Sequence, residues 1–169
     1  MGRLAEFLYA QPAPAPSGPR TVIGWGLGAA AVAYLLTLPP SLNPTDESVI
    51  LYGAKRVLQG QALYRDFFEF LTPGAFYFYA LAYAVGGVSI TSAQVATALL
   101  NGVTVACIFF LTLRVAAVAE AVLAALLVVA ICVPVWNMAS HHWIATALGA
   151  ATAAVLLAPR WQGSRRARP

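Results

Sequence analysis

Apolar residues in this chain are gathered in long runs rather than in the short alternating patterns of a soluble fold. A membrane-crossing helix needs about 20 mostly apolar residues. The runs predict an all-α fold, a polytopic transmembrane helix bundle of about four spans, at residues 21–38, 93–113, 115–135 and 143–158. In the first span, Gly24 and Gly28 have the GxxxG spacing, which indicates either close helix packing or the general frequency of glycine in membrane helices.

The segment after the first span predicts a helix on the membrane surface, at residues 43–59. Asn43 suits the N-cap and Pro44 the first helical position, while Asp46 and Glu47 favour the first turn. One face then becomes apolar, and a glycine ends the helix; its apolar members are Ile50, Leu51, Ala54, Val57 and Leu58.

A second surface helix is predicted at residues 73–88. The run is short for a span, is crowded with Phe and Tyr, and ends at Gly86-Gly87. Tyrosine favours the boundary between membrane and water, so we expect this helix in the outer interface. We also expect Trp143 and Trp161 to anchor the two ends of the last span.

The positions of the basic residues predict the orientation of the bundle. With four spans, both termini lie on one side, and seven of the ten Lys and Arg residues lie there as well. Because short cytoplasmic segments are rich in Lys and Arg, both termini are expected in the cytoplasm. We therefore divide the chain into a disordered Pro/Ala-rich arm (1–20), a transmembrane module (21–158) and a basic tail (159–169).

Composition supports a membrane protein. The chain of 169 residues is 60% hydrophobic and 9% charged, against about 25% charged in a typical soluble domain. Such a composition argues against an ordinary soluble enzyme and a disordered chain. The net charge of +4 is concentrated at the membrane-flanking tail, so no nucleic-acid partner is expected.

Two clusters of charge are candidates for chemistry. Asp46 and Glu47 follow the first span and could supply a general base or hold a divalent cation; alternatively they only complement the helix dipole. Arg65 could bind a phosphate with Asp66 holding it in place, or the two form an ordinary exposed ion pair.

His141 and His142 lie at the start of the last span, on the same predicted outer surface. Adjacent residues on a helix point about 100° apart, so the two imidazoles are not expected to share one metal ion. A polar helix cap is the simpler interpretation, and no zinc-binding spacing is present in the sequence.

Taken in order, these patterns resemble the GT-C class of polytopic glycosyltransferases, and in particular the bacterial relatives of protein mannosyltransferases and of the lipid A aminoarabinose transferase. The match is carried by the Asp46-Glu47 pair, the helix from Tyr52 to Gly60, the segment Tyr64 to Glu69 followed by Pro73-Gly74, and the Ser-His-His-Trp turn. Family enzymes are much longer, so this chain corresponds to their N-terminal portion.

The resemblance implies a transferase that takes a sugar from a polyprenyl-phosphate donor on the outer face of the bacterial inner membrane. It implies Asp46 and Glu47 as catalytic residues. We expect the donor phosphate at Lys55, Arg65, Asp66 and Glu69, with further contacts from His141 and His142. No cofactor beyond a divalent cation is expected. The alternative is a non-catalytic scaffold or lipid-phosphate-binding subunit with a partner membrane protein, so the sequence is compatible with an enzyme and with a non-enzyme.

Overall fold

The computed structural model describes residues 18–38, 46–132 and 138–157, and within these ranges the chain is helical. The helices, in chain order, are α1 (Gly18–Thr37), α2 (Asp46–Leu58), α3 (Pro73–Gly86), α4 (Ile90–Thr112), α5 (Val118–Leu127), which continues into a π-helical turn (Val128–Cys132), and α6 (His141–Leu156). The described residues contain no strand, only an isolated bridge between Leu63 and Phe67. The predicted all-α class is confirmed.

Two helices, α1 and α4, are long and apolar enough to cross a membrane. The apolar segment from Val118 to Ile131 is shorter, and α6 has 16 residues. The structure therefore supports two of the predicted spans by length and composition. The spans at 115–135 and 143–158 stay predictions.

The helix boundaries follow the predicted ones with small shifts. Helix α1 begins at Gly18, so residues 18–20 belong to the helix rather than to the arm. The predicted N-cap Asn43 and Pro44 lie outside the described residues. Helix α3 ends at Gly86, because Gly87 has a φ of 78°, which glycine adopts without strain. Most of residues 1–20 and all of the tail 159–169 lie outside the described ranges.

Helix α4 lies at the centre and contacts α1, α3, α5 and α6. Its closest approach is to α1, where Gly24 and Gly28 are both buried. A Cβ atom at Gly28 would lie only 2.7 Å from the carbonyl oxygen of Gly102. The glycine spacing therefore serves close packing of α1 against α4, the first of the two interpretations given above.

Helix α2 packs against α3, and α3 packs against α4. The predicted apolar face of α2 is buried at Ile50, Leu51 and Ala54, whereas Leu58 is 40% exposed. The loop that follows is held by Arg56, whose guanidinium lies 4.2 Å from the centre of the Phe67 ring and donates to the Asp66 carbonyl oxygen. Cation–π contact and hydrogen bonding thus fix this loop to the end of α2.

Trp143 lies at a contact between helices. It is 8% exposed and packs in a cluster with Leu35 of α1 and Ala98 of α4. The indole is thus buried between helices, and its expected place at the membrane boundary stays a prediction. Trp161 lies outside the described residues.

Candidate functional site

Glu47 joins two distant parts of the chain. Its side chain is 5% exposed, and its Oε1 atom accepts a hydrogen bond from the backbone N–H of Ala139 at 2.8 Å, across 92 residues. Helix α2 presents this carboxylate from its first turn to the segment that leads into α6. The bond gives Glu47 a structural role, since it holds the start of α2 to the segment before α6. This role is distinct from the catalytic role that the resemblance implies.

Asp46, by contrast, is exposed at the start of α2. Its neighbour Glu47 is bonded to Ala139, and this places Asp46 close to the start of α6. Burial and the neighbouring His142 lower the pKa of His141, while the charge of Asp46 raises it. The predicted pairing of the Asp46 segment with the His141-His142 turn on one surface therefore agrees with this geometry.

The two histidines lie with their rings together at the start of α6. The ring centroids are 3.9 Å apart and the planes are tilted by 39°. Ser140 caps the helix by accepting from the backbone N–H of His142 at 3.2 Å. The Nδ1 atom of His141 is buried and has no hydrogen-bond partner among the described residues. The turn is thus a capped helix start that carries one unused imidazole nitrogen.

The described residues hold no group of three or more His, Cys, Asp or Glu side chains placed to bind a metal ion. Asp46, Glu47 and the two histidines do not form such a group, since Glu47 points to a backbone amide. The divalent cation considered from the sequence gains no support from this part of the chain.

Tyr79 lies beneath this surface and was not singled out by its sequence context. Its hydroxyl is hydrogen-bonded to Thr97 Oγ1 at 2.9 Å. Burial raises the pKa of Tyr79 to about 12, and the charge of Glu47 also raises it. Hydrogen bonds with Thr97 and with the backbone of Ser140 lower this pKa by a smaller amount. Tyr79 therefore stays protonated and connects α3, α4 and the Ser140 segment. One of several aromatic residues in α3, it could not be recognised from sequence.

Arg65 and Asp66 pair with each other on the outer loop. Their side chains are 73% and 34% exposed, with 2.8 Å between Arg65 Nη2 and Asp66 Oδ2. Hydrogen bonds from Arg65 and from the backbone N–H of Ala62 lower the pKa of Asp66 to about 2. This is the ordinary exposed ion pair of the two alternatives, and Arg65 must leave it to bind a phosphate.

The remaining members of the expected donor-phosphate set are not brought to Asp46. Lys55 is exposed and Glu69 is half-buried, and neither forms an ion pair within the described residues. Arg56 contacts the Asp66 carbonyl oxygen near the end of α2, whereas Asp46 begins that helix. Ten residues at about 1.5 Å each put about 15 Å along the helix axis between the two groups.

Asn101 is a second residue that the sequence reasoning missed. It is 1% exposed in the middle of α4, and neither its Oδ1 nor its Nδ2 atom has a hydrogen-bond partner among the described residues. An amide in the middle of the apolar run 93–113 was a readable signal, because polar groups are expensive in the membrane interior.

Comparison with known proteins gives no relative of this chain. No family model, no curated protein and no solved structure matches it. The likeness to GT-C enzymes therefore rests on the order and spacing of the sequence patterns alone.

Proposed function

We propose that this chain is an integral membrane glycosyltransferase of the GT-C type, or the N-terminal module of one. In this proposal it transfers a sugar from a polyprenyl-phosphate donor on the outer face of the bacterial inner membrane, with both termini in the cytoplasm. The two span-length helices α1 and α4 support a membrane location.

The observation that carries the proposal is the hydrogen bond from Ala139 to Glu47. This bond brings the start of α2 to the start of α6, so an exposed carboxylate, Asp46, lies beside a histidine pair. The sequence patterns that resemble the family lie on these two segments, and their meeting on one surface is what an active site there requires.

In the proposed reaction, Asp46 accepts the proton of an acceptor hydroxyl as its oxygen attacks the anomeric carbon of the donor sugar. The bond between that carbon and the phosphate oxygen breaks, and the polyprenyl phosphate leaves with the electron pair. Glu47 positions Asp46 by fixing the first turn of α2 to Ala139. His141 and His142 lie together at the start of α6 and are candidate contacts to the phosphate.

Arg65 is the proposed ligand of the donor phosphate from the outer loop. A guanidinium offers paired donors to phosphate oxygens, so exchange of Asp66 for a phosphate keeps the geometry of the bond. Arg56, which contacts the Arg65 loop, lies about 15 Å from Asp46 along α2, so Arg65 must reach back from the loop toward the start of α2 to hold a phosphate near Asp46.

The second candidate is a non-catalytic subunit that binds lipid phosphate or acts as a scaffold for a partner membrane protein. This candidate is favoured by helix α6. The helix is mostly apolar, yet its buried residues are Trp143 and Ala147 alone. A helix this exposed leaves few walls to exclude water from a reaction.

The test is sugar transfer by the purified chain in proteoliposomes, with a panel of radiolabelled polyprenyl-phosphate sugars and a membrane extract as acceptor. Transfer is expected for the wild type and for Glu120→Gln, a carboxylate in the first turn of α5. Asp46→Asn is expected to lower the rate at least about 100-fold, the usual contribution of a general base. Unchanged transfer by Asp46→Asn overturns the assigned base, and no transfer by the wild type favours the subunit.

A further inference from the structure

An apolar groove lies between α3, α4 and α6, away from the Asp46 surface. Its volume is about 670 Å³, within the ~300–1,000 Å³ range of sites that hold one small molecule. Small residues in the lining leave space between the three helices. They are Ala82, Gly86, Ala96, Ala147 and Ala151.

The walls of the groove are large aliphatic side chains that are open to the surroundings. Leu81 and Val85 of α3 are 65% and 85% exposed, Leu99 of α4 is 55% exposed and Leu148 of α6 is 63% exposed. Helix α4 is one of the two helices able to cross a membrane, so Leu99 in its wall faces hydrocarbon when it does.

Polar groups are collected at one end of the groove. Ser89, Thr91 and Ser92 line it where α4 begins. Ser92 donates to the Gly86 carbonyl oxygen at 2.8 Å, and its hydroxyl lies 2.9 Å from that of Ser89. Toward Val103 and Ala151 the lining is apolar. A molecule that fits this lining has a polar end at the start of α4 and a hydrocarbon chain that runs along the helix.

An amphipathic lipid matches both ends of this lining, because its polar end suits the hydroxyl groups at the start of α4 and its hydrocarbon chain suits the aliphatic remainder.

We propose that this groove binds one acyl chain of an outer-leaflet phospholipid, with the glycerol end at Ser89, Thr91 and Ser92. The bound lipid completes the packing of α3 against α4 and α6. This inference rests on the membrane location and orientation given under the proposed function but not on glycosyltransferase activity, since it concerns a resident membrane lipid rather than the sugar donor.

The test uses the purified chain in proteoliposomes with a diacyl phosphatidylglycerol that carries a photoreactive diazirine in one acyl chain. Labelling is expected on peptides that contain residues 78–103 and 147–151. Ala82→Phe and Ala151→Phe fill the groove from two different helices and are expected to lower that labelling about tenfold, which corresponds to about 1.4 kcal/mol. The matched controls Ala84→Phe and Ala145→Phe place the same side chain at exposed positions outside the groove and should label as the wild type does.

Native mass spectrometry in detergent provides a second readout. One retained phospholipid is expected on the wild type and on both controls, and loss of it on Ala82→Phe and Ala151→Phe. Circular dichroism checks that each variant is folded. The proposal is overturned if Ala82→Phe and Ala151→Phe are labelled and retain lipid as the wild type does. It is also overturned if the protein is a dimer without retained lipid, because a second copy then occupies the groove.

Discussion

The carboxylate of Glu47 and the backbone amide of Ala139 are joined by a buried hydrogen bond of 2.8 Å that fixes the start of α2 to the start of α6. The two residues belong to separate loops of the predicted topology, on the same side of the bundle. The bond therefore shapes the surface on which Asp46 and the two histidines lie, and it can be tested apart from any catalytic role.

Replacing Glu47 by Ala is expected to lower the free energy of unfolding by about 1–3 kcal/mol, because the amide of Ala139 loses its partner in a buried place. Glu47→Gln keeps an acceptor oxygen and should lose less. Denaturant titration in detergent micelles measures the difference. The control is Asp46→Ala at the exposed neighbouring position, and equal losses in Asp46→Ala and Glu47→Ala would contradict the structural role of Glu47.

The contact between α1 and α4 predicts opposite outcomes at two glycines of one helix. Gly28→Ala sets a methyl group against the Gly102 carbonyl oxygen and should cost about 1–3 kcal/mol of stability. Gly26 has nothing within 4 Å of an added Cβ, so Gly26→Ala should be neutral or stabilise by up to about 1 kcal/mol. The same unfolding assay decides, and a loss in Gly26→Ala as large as in Gly28→Ala would show that the helices do not meet at Gly28.

The pKa of His141 predicts a pH dependence of stability. Burial and His142 lower this pKa from 6.5 in the folded state, so the folded protein binds fewer protons than the unfolded chain. Stability is then highest above pH 6.5 and falls as the pH drops through that value toward the folded pKa. Unfolding measured from about pH 8 to about pH 5 should show this slope.

His141→Gln should flatten that slope, whereas His142→Gln should keep its sign, since burial, the larger cause, remains. A rise in stability on acidification of the wild type would mean that the Asp46 charge outweighs burial at His141.

The four-span topology predicts which positions water-soluble reagents reach from outside the cell. In a Cys107→Ala, Cys132→Ala background, single cysteines at Gln59 and Ser89 should react with an impermeant thiol reagent in intact cells. Cysteines at Ala117 and Ser164 should react only after the membrane is opened. Gln59, Ser89 and Ala117 are all exposed in the structure, so differences in labelling report the side of the membrane. Labelling of Ser164→Cys in intact cells would mean that residues 73–88 span the bilayer.

The sequence by itself determined where the helices lie. Apolar runs, proline and glycine positions act over a few residues, so the ranges predicted for α1, α2, α3, α4 and α6 agree with the structure to within about three residues where it describes them. The amphipathic face of α2 was also readable, because residues three and four apart share one side of a helix. The ion pair of adjacent Arg65 and Asp66 was open to prediction for the same local reason.

Only the tertiary structure decided which of these residues meet. Asp46 and Glu47 are neighbours with the same chemistry, yet one is exposed and the other is buried against Ala139, 92 residues away. Trp143 was recognisable as a large apolar residue at a helix end, but its packing against Leu35 of α1 and Ala98 of α4 was not. These differences depend on which surface of one helix faces another, and that orientation is set by close packing between segments far apart in sequence, which no local pattern records.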